Sequence, residues 1–310
     1  MIEFRNVGKT YQPLFGSPVR AVEDFSLTIE LGEVMGIAGP NGAGKSTLIS
    51  MLLGYVLPTE GTVRIDGMEP RAYIERYGVG YLSELIAINP RWTVDGALAR
   101  YAILAGVPEG EIQPRVDEVV ERLGLDEHRR KKVKELSKGN LQRLGLAQAL
   151  LRSEAVFILD EPTHGLDPVW TTKFRDIVEQ LRRPDRAILI ASHNLDELER
   201  LADRVAIIDR GQLQRVVDVR GAGGELALLG AGNAAGTYRL SVAAGAEVVP
   251  EVFPGARNLG RGEFVVEASD LAALNRGVAE LIVRGTLLAG FAPVQSALEQ
   301  QFREAIGEVT

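Results

Sequence analysis

The stretch Gly39-Pro40-Asn41-Gly42-Ala43-Gly44-Lys45-Ser46-Thr47 decides the fold class of this chain. It matches the phosphate-binding loop pattern, in which two glycines separated by four residues are followed by Lys and Ser or Thr. A buried-strand pattern over residues 34–39 precedes it, and a helical pattern over 45–53 follows. Glycines let successive N–H groups turn toward phosphate oxygens, and a helix N-terminus adds positive potential. The sequence therefore predicts a P-loop site in which Lys45 reaches the β- and γ-phosphates of a nucleotide and Ser46 suits Mg²⁺.

A second stretch, Val156-Phe157-Ile158-Leu159-Asp160-Glu161, places two acids directly after an apolar strand. Ligands of α/β proteins bind beyond the carboxyl ends of the parallel strands. Adjacent carboxylates at such a place are costly unless they meet a cation. We expect Asp160 to hold Mg²⁺, through water, and Glu161 to orient and polarise the attacking water. An ordinary strand that ends in solvated acids is the alternative.

The first 216 or so residues alternate between short strands and helices. Such alternation predicts an α/β fold with a mainly parallel sheet and crossover helices. Residues 21–30 and 62–66 have the pattern of an antiparallel β subdomain, and about 90–151 that of a helical lobe without a buried strand. The buried strands are expected at 34–39, 78–82, 155–160, 187–192 and 205–209, and helices at 45–53, 169–181 and 195–202.

Composition excludes several function classes. The 310 residues have a formal net charge of −7, contain no cysteine and only three histidines. A chain of this sign is a poor candidate for nucleic-acid binding, and Cys-ligated zinc, disulfides and thiol nucleophiles are excluded. We find no secretory signal pattern and no apolar stretch near the ~18–20 residues that span a bilayer. We therefore expect a cytoplasmic protein, for which any membrane role would come from a partner.

The composition changes after residue 216, which predicts a domain boundary between 1–216 and 217–310. Residues 221–236 contain six glycines and predict a linker. Strand patterns follow at 237–242 and 263–267, and helical patterns at 270–283, with Asp270 as N-cap, and at 296–307. We expect a small C-terminal α+β domain, with a dimerisation or a regulatory role both open.

A third motif, Leu136-Ser137-Lys138-Gly139-Asn140-Leu141-Gln142, begins an apolar-periodic helix that ends near Leu151. On spacing alone, Ser137 could be the N-cap of that helix and nothing more. Together with the first two motifs, in this order, the segment makes residues 1 to about 216 resemble the nucleotide-binding subunit of an ATP-binding cassette (ABC) transporter. The resemblance implies an ATPase that binds ATP and Mg²⁺.

The resemblance also implies roles for further residues. Tyr11 takes the place of the aromatic residue that stacks on adenine, and a core tyrosine is its alternative. Ser137, Gly139 and Asn140 stand in the signature motif, which contacts the γ-phosphate held by the opposite subunit. Lys138 and Asn140 depart from the usual Gly and Gln of that motif. We expect Asn140, which keeps an amide, to retain the function.

Three more positions follow from the resemblance. Glu84 occupies the glutamine position of the Q-loop, where it could still bind Mg²⁺ or be a solvated loop acid. Asp167 lies in the D-loop, which couples the two sites of a dimer. His193 follows a buried strand and matches the switch histidine that touches the γ-phosphate. Ser46, Glu84 and Asp160 form the expected metal site, whereas His128 and His164 receive no role.

Partners follow from the same resemblance. We expect a homodimer or a pair with a paralogous ATPase, a separate integral-membrane permease, and a location on the inner face of the cell membrane. The basic run 128–134 is either a solvated face or a contact with anionic lipid or a membrane partner. Residues 296–303 weakly resemble the tail of type-2 exporter ATPases, which favours export over import. The competing hypothesis is a soluble regulatory ATPase of the same family without a transport role.

Overall fold

The computed structural model describes residues 1–13, 16–220, 236–293 and 297–307. It divides into two compact units, Met1–Val217 and Asp218–Thr310. Residues 221–235 of the expected linker, and Ser296 of the expected tail, lie outside the described residues. Within the described residues, no helix combines the length and the apolar character needed to cross a membrane.

The first unit contains two sheets and a set of helices. Its strands are β1 (Ile2–Tyr11), β2 (Val19–Ile29), β3 (Val34–Ala38), β4 (Glu60–Ile65), β5 (Gly80–Leu82), β6 (Val156–Asp160), β7 (Ala187–Ser192), β8 (Arg204–Asp209) and β9 (Gln212–Asp218). Its α-helices are α1 (Lys45–Leu52), α2 (Pro70–Tyr77), α3 (Val94–Leu104), α4 (Glu109–Arg122), α5 (Lys138–Ala149), α6 (Pro168–Leu181) and α7 (Leu195–Leu201).

The larger sheet has the strand order β5-β6-β7-β3-β8-β9. The five strands β5, β6, β7, β3 and β8 are parallel to one another. Every residue of β3, β6 and β7 is buried, because helices cover both faces of such a sheet. The parallel arrangement brings the carboxyl ends of these three strands to one edge, which confirms the predicted α/β architecture.

The smaller sheet is antiparallel, with the order β2-β1-β4. It shares a continuous apolar core with α1 and with one face of the larger sheet. Within that core, the rings of Phe4 and Phe25 meet edge to face at 5.4 Å. Strand β1 was not predicted, because its apolar alternation ends after Arg5, where Asn6 has a φ of 45° and the register with β2 shifts.

The helical lobe follows the prediction. Helices α3, α4 and α5 and two short 3₁₀ turns occupy residues 94–149, and the structure has no strand among them. Thr93 caps α3 by accepting a hydrogen bond from the amide of Gly96.

The second unit contains one antiparallel sheet. Its elements are β10 (Gly236–Ala244), α8 (Val249–Val252), β11 (Arg257–Gly260), β12 (Glu263–Ala268), α9 (Leu271–Val283), β13 (Leu287–Pro293) and α10 (Ala297–Ile306). The strand order β11-β12-β10-β13 and the β-α-β-β-α-β sequence make a split β-α-β arrangement. Alternate residues of β10 and β12 pack with Leu274 and Leu281 of α9. Asp270 caps α9, as the sequence predicted.

Candidate functional site

The loop between β3 and α1 has the geometry of a phosphate cradle. Gly42 and Gly44 adopt φ angles of 83° and 108°, which only glycine tolerates readily. A Cβ at Gly39 would lie 2.5 Å from the carbonyl oxygen of Ile208, and one at Gly44 would lie 2.7 Å from that of Ala21. The loop can therefore follow this path only with glycine at these positions, and it delivers the N-terminus of α1 to the edge of the sheet.

Lys45 is buried within this loop although it carries a charge. Its Nζ donates to the carbonyl oxygens of Gly39, at 2.6 Å, and Pro40, at 3.3 Å. Burial lowers the pKa of the Lys45 ammonium, and the negative charges of Glu161 and Asp160 oppose that shift. The ammonium thus stands between main-chain oxygens and two carboxylates, in a position from which it can meet an incoming anion.

Asp160 and Glu161 lie at the end of β6, where both are almost completely buried. Burial raises the pKa of the Asp160 carboxyl to about 6, and the neighbouring charges of Glu84 and Glu161 add to that shift. The site therefore carries more negative charge than Lys45 alone compensates.

Donors on β7 and just beyond it hold the Glu161 carboxylate. Its Oε2 accepts from the hydroxyl of Ser192 at 3.1 Å and lies 2.8 Å from Nδ1 of His193. Its Oε1 accepts from the main-chain N–H of His193 at 2.9 Å. The imidazole of His193 is largely exposed, with its side chain 65% accessible. Because Nδ1 faces the carboxylate, Nε2 of His193 is directed to other partners at the mouth of the site.

These elements enclose a cavity of about 510 Å³ at the carboxyl edge of the sheet. It brings together the P-loop from Asn41 onward, Glu84, the two acids at the end of β6 and His193. Two lining residues had no predicted role: Ala21 of β2 and His164 of the loop after Glu161. The lining consists of Ala21, Asn41, Gly42, Ala43, Gly44, Lys45, Ser46, Thr47, Glu84, Asp160, Glu161, His164 and His193.

Ala21 and His164 differ in how sequence could have identified them. His164 lies three residues after Glu161, and this proximity was a usable signal. Ala21 gave none, because the approach of β2 to the loop depends on long-range pairing.

Tyr11 lies outside this cavity. It is the last residue of β1, its side chain is 39% exposed, and Nζ of Lys9 lies 5.2 Å from its ring centroid. A ring with this exposure is not a core tyrosine, so it remains free to receive a flat ligand.

The predicted signature segment also lies outside the cavity of its own chain. Ser137 is the N-cap of α5, where its hydroxyl accepts from the amide of Asn140 at 3.3 Å. The Asn140 side chain donates from Nδ2 to Nε2 of His128 at 2.8 Å and accepts at Oδ1 from Arg143. The Lys138 ammonium donates to Nε2 of His164 at 2.7 Å. Both unusual signature side chains therefore have a histidine partner within the chain.

Asp167 starts the helix that follows His164. Its Oδ1 accepts from the amide of Trp170 at 2.9 Å, which caps α6. Asp167 thus has a local structural role and does not line the cavity.

The basic run at 128–134 is not uniform. Arg129 pairs with Asp117 at 2.6 Å, and with Asp95 and Asp126 at longer distances, so it stabilises the helical lobe. The remaining cations of the run are exposed: Arg130, Lys131, Lys132 and Lys134.

The donor set at the cavity fits Mg²⁺. The Ser46 hydroxyl and the carboxylates of Asp160 and Glu84 are hard oxygen ligands, which this ion prefers. Burial is the main cause of the raised pKa of Asp160, and the carboxylates of Glu84 and Glu161 add to it; a bound cation would oppose both effects. Among the described residues, no three His, Cys, Asp or Glu side chains are grouped so that they could hold a metal alone. The protein therefore supplies part of a coordination shell, and phosphate oxygens and water suit the remainder.

A family model described as ABC transporter matches residues 22–164. The ABC transporter ATP-binding protein NatA of Bacillus subtilis (strain 168) is 36% identical over 199 residues, 63% of this chain and 80% of that protein. The methionine import ATP-binding protein MetN 2 of Pseudomonas entomophila (strain L48) is 36% identical over 221 residues, 69% of this chain and 66% of that protein.

Solved structures give the same picture. The dimeric structure of MJ0796, a bacterial ABC transporter cassette, superposes with a TM-score of 0.66 and 26% identity, covering 71% of this chain and 100% of that one. A dimeric post-hydrolysis state of MJ0796 bound to ADP and Pi also matches, with a TM-score of 0.66 and 25% identity over the same shares of the two chains.

Proposed function

Because this chain belongs to the ABC transporter family of ATP-binding subunits and is an ATPase, we propose that it drives a separate membrane-spanning subunit between conformations. The proposal is supported by the presence of Lys45 and Glu161 in the same cavity. A buried ammonium for phosphates and a carboxylate held by three donors are what hydrolysis of a bound nucleotide needs.

In the proposed reaction, the main-chain N–H groups of residues 41–47 and the ammonium of Lys45 bind the phosphates. Tyr11 stacks on the base at the edge of the site. Glu161 orients the attacking water, because Ser192 and His193 fix its carboxylate in one direction. His193 contacts the γ-phosphate through the ring nitrogen that does not face Glu161.

Ser46, Asp160 and Glu84 are proposed to hold Mg²⁺. When bound, the ion neutralises charge that develops on the phosphate oxygens. The contribution of the chain is to keep a buried carboxylate, Asp160, beside the first turn of α1.

We propose that two copies bind head to tail. Each ATP would then lie between the P-loop of one copy and Ser137, Gly139 and Asn140 of the other, with Asp167 at the dimer interface. The location of all four residues outside the cavity of their own chain supports this arrangement. The dimeric MJ0796 cassette gives it a precedent in a structural relative.

A membrane permease is the proposed partner, and the inner face of the cell membrane the proposed location. The exposed cations Arg130, Lys131, Lys132 and Lys134 lie on the helical lobe and suit an anionic membrane surface. The tail resemblance favours export, whereas the name of the MetN 2 relative specifies methionine import. The identity of the permease decides between these directions.

The first experiment is affinity purification of this chain from detergent-solubilised native membranes, followed by mass spectrometry. We expect a polytopic membrane protein in near-equal amount, and its family would give the direction of transport. Recovery of the ATPase with soluble proteins only would instead favour a regulatory ATPase without a transport role.

A further inference from the structure

Helix α5 is tied to the segment that carries Glu161 by a buried side chain. Gln142 is 5% exposed, and its Nε2 donates to the carbonyl oxygens of Glu161, at 3.2 Å, and Pro162, at 3.0 Å. The main-chain N–H of His164 also donates to the Glu161 carbonyl, at 3.1 Å. Gln142 therefore fixes the backbone of the segment and not the reactive carboxylate itself.

The backbone of Glu161 needs such support. Its φ of 47° lies in the left-handed region, which residues with a Cβ rarely adopt. A conformation of this kind persists only where the surroundings enforce it, and it is concentrated at functional sites. The N–H of Glu161 donates to Ala191 on β7 at 2.8 Å, so one side of the residue is held by the sheet. Gln142 holds the other side.

We infer that Gln142 is a positioning residue for Glu161 and thereby joins the signature helix to the carboxylate that orients water. The inference rests on the proposed role of Glu161. Gln142 does not line the cavity, so it acts only through the backbone. Ser137 and Gln142 both belong to the first turns of α5. The segment that is proposed to contact the ATP of the partner copy is therefore also connected, through Gln142, to Glu161 of its own chain.

A second contact between the start of α5 and the loop after Glu161 lies at the surface. The Lys138 side chain packs on Gly165, where an added Cβ would meet its Cγ and Cδ at 2.9 Å. Its ammonium then reaches His164. The start of α5 and the loop 161–165 are therefore held together at two points, one buried and one exposed.

The test replaces Gln142 in the full-length chain. Gln142→Met keeps the length of the side chain and removes the donor, so the Glu161 backbone can relax and its carboxylate leaves Ser192 and His193. We expect kcat for ATP to fall by about tenfold to a hundredfold, because small misplacements of a reacting group have effects of this size. The Kd for ATP, measured by calorimetry, should stay within about twofold, since the phosphate cradle is intact.

Two further variants separate positioning from folding. Gln142→His restores a neutral N–H donor at similar reach and should recover part of kcat. Leu144→Ala, on the same helix but about 200° around it, removes a buried side chain without touching the loop. It should lower thermal stability and leave kcat unchanged. If Gln142→Met does not fold, Gln142→Asn retracts the amide by one methylene and should show the same loss of kcat.

The Glu161→Gln variant shows whether a negative result contradicts this inference or the proposed function. If Glu161→Gln hydrolyses ATP at the parent rate, the proposed role of Glu161 is wrong. If it loses activity while Gln142→Met keeps the parent kcat, the inference is wrong and the proposed function stands. In single-turnover measurements, adding Gln142→Met to Glu161→Gln should cause no further loss. A full additional loss would mean that Gln142 acts through another group and would overturn the inference.

Discussion

The two units of this chain differ in what they bury. The first unit buries Lys45, Asp160 and Glu161 at one edge of a parallel sheet. In the described part of the second unit, the one buried polar side chain is Thr286, whose hydroxyl donates to the carbonyl of Gly245 at 3.2 Å. Burial of charge costs free energy unless a partner offsets it. The first unit therefore has a site built at a cost to stability, whereas the described core of the second is essentially apolar.

Burial of charge alone does not identify a site. Arg186 is also buried in the first unit, but its guanidinium donates to the carbonyls of Glu154 and Leu181 and to Ser153. Each of its three nitrogens thus donates one hydrogen bond, and Arg186 does not line the cavity described above. What distinguishes Lys45, Asp160 and Glu161 is that all three face one cavity that can admit a ligand.

Among the substitutions that test this difference between the two units, Glu161→Gln should have the largest effect on ATP hydrolysis. Loss of the carboxylate that orients water should reduce kcat by about 10²–10⁴-fold, while the amide keeps the shape of the site and ATP binding. The measurements are phosphate release with saturating ATP and Mg²⁺, and size exclusion with and without ATP, where a stable dimer is expected. The exposed variant Glu121→Gln is the control. Hydrolysis by Glu161→Gln at the parent rate would contradict the assignment.

Leu240→Ala tests the independence of the second unit. Leu240 is fully buried in that core, so its truncation should destabilise the unit by about 2–5 kcal/mol. Faster hydrogen exchange over residues 236–293 would report this loss. Trp92 and Trp170, the two tryptophans of the chain, lie in the first unit, so the fluorescence transition of that unit should not move.

The same variant should also keep its Kd for ATP, because every cavity-lining residue belongs to the first unit. A higher Kd for ATP in Leu240→Ala would contradict this difference between the units, since it would mean that the second unit contributes to the ATP-binding site.

Lys45→Ala should weaken ATP binding by about 10–100-fold, because a hydrogen bond between charged groups contributes about 1.5–3 kcal/mol. Calorimetry with ATP measures the change directly, and Lys131→Ala, an exposed lysine outside the cavity, is the matched control. An unchanged Kd in Lys45→Ala would refute the phosphate-binding role of the loop.

Tyr11→Ala should have the smallest effect of the series. A stacked aromatic ring contributes about 0.5–1.5 kcal/mol beyond its buried area, so we expect a rise in the Kd for ATP of roughly twofold to tenfold. Tyr11→Phe keeps the ring and should bind ATP as the parent does. If the Ala and Phe variants bind ATP with equal affinity, Tyr11 does not stack on the base of ATP.

Much of the first unit could be predicted from local pattern. Five buried strands and three helices lie within one or two residues of their expected bounds, because continuous apolar runs and helical spacing are local properties. Strand β1 was missed, since its apolar alternation extends over only four residues and its stability comes from pairing with β2 and β4. Strands β11 and β13 of the second unit were missed for the same reason.

The P-loop, the two acids at the end of β6 and the position of His193 could all be identified from the amino-acid sequence, because each depends on residue types at fixed spacing next to a buried strand. Three features required the folded chain: the contacts of Glu161 with Ser192 and His193, the presence of Ala21 and His164 in the cavity lining, and the hydrogen bonds from Gln142 to the backbone of the Glu161 segment. The contacts of Glu161 with Gln142, Ser192 and His193 join residues 19, 31 and 32 positions apart, and they depend on how the sheet and the helices pack. Spacing along the chain fixes which groups are available, and packing fixes which of them touch.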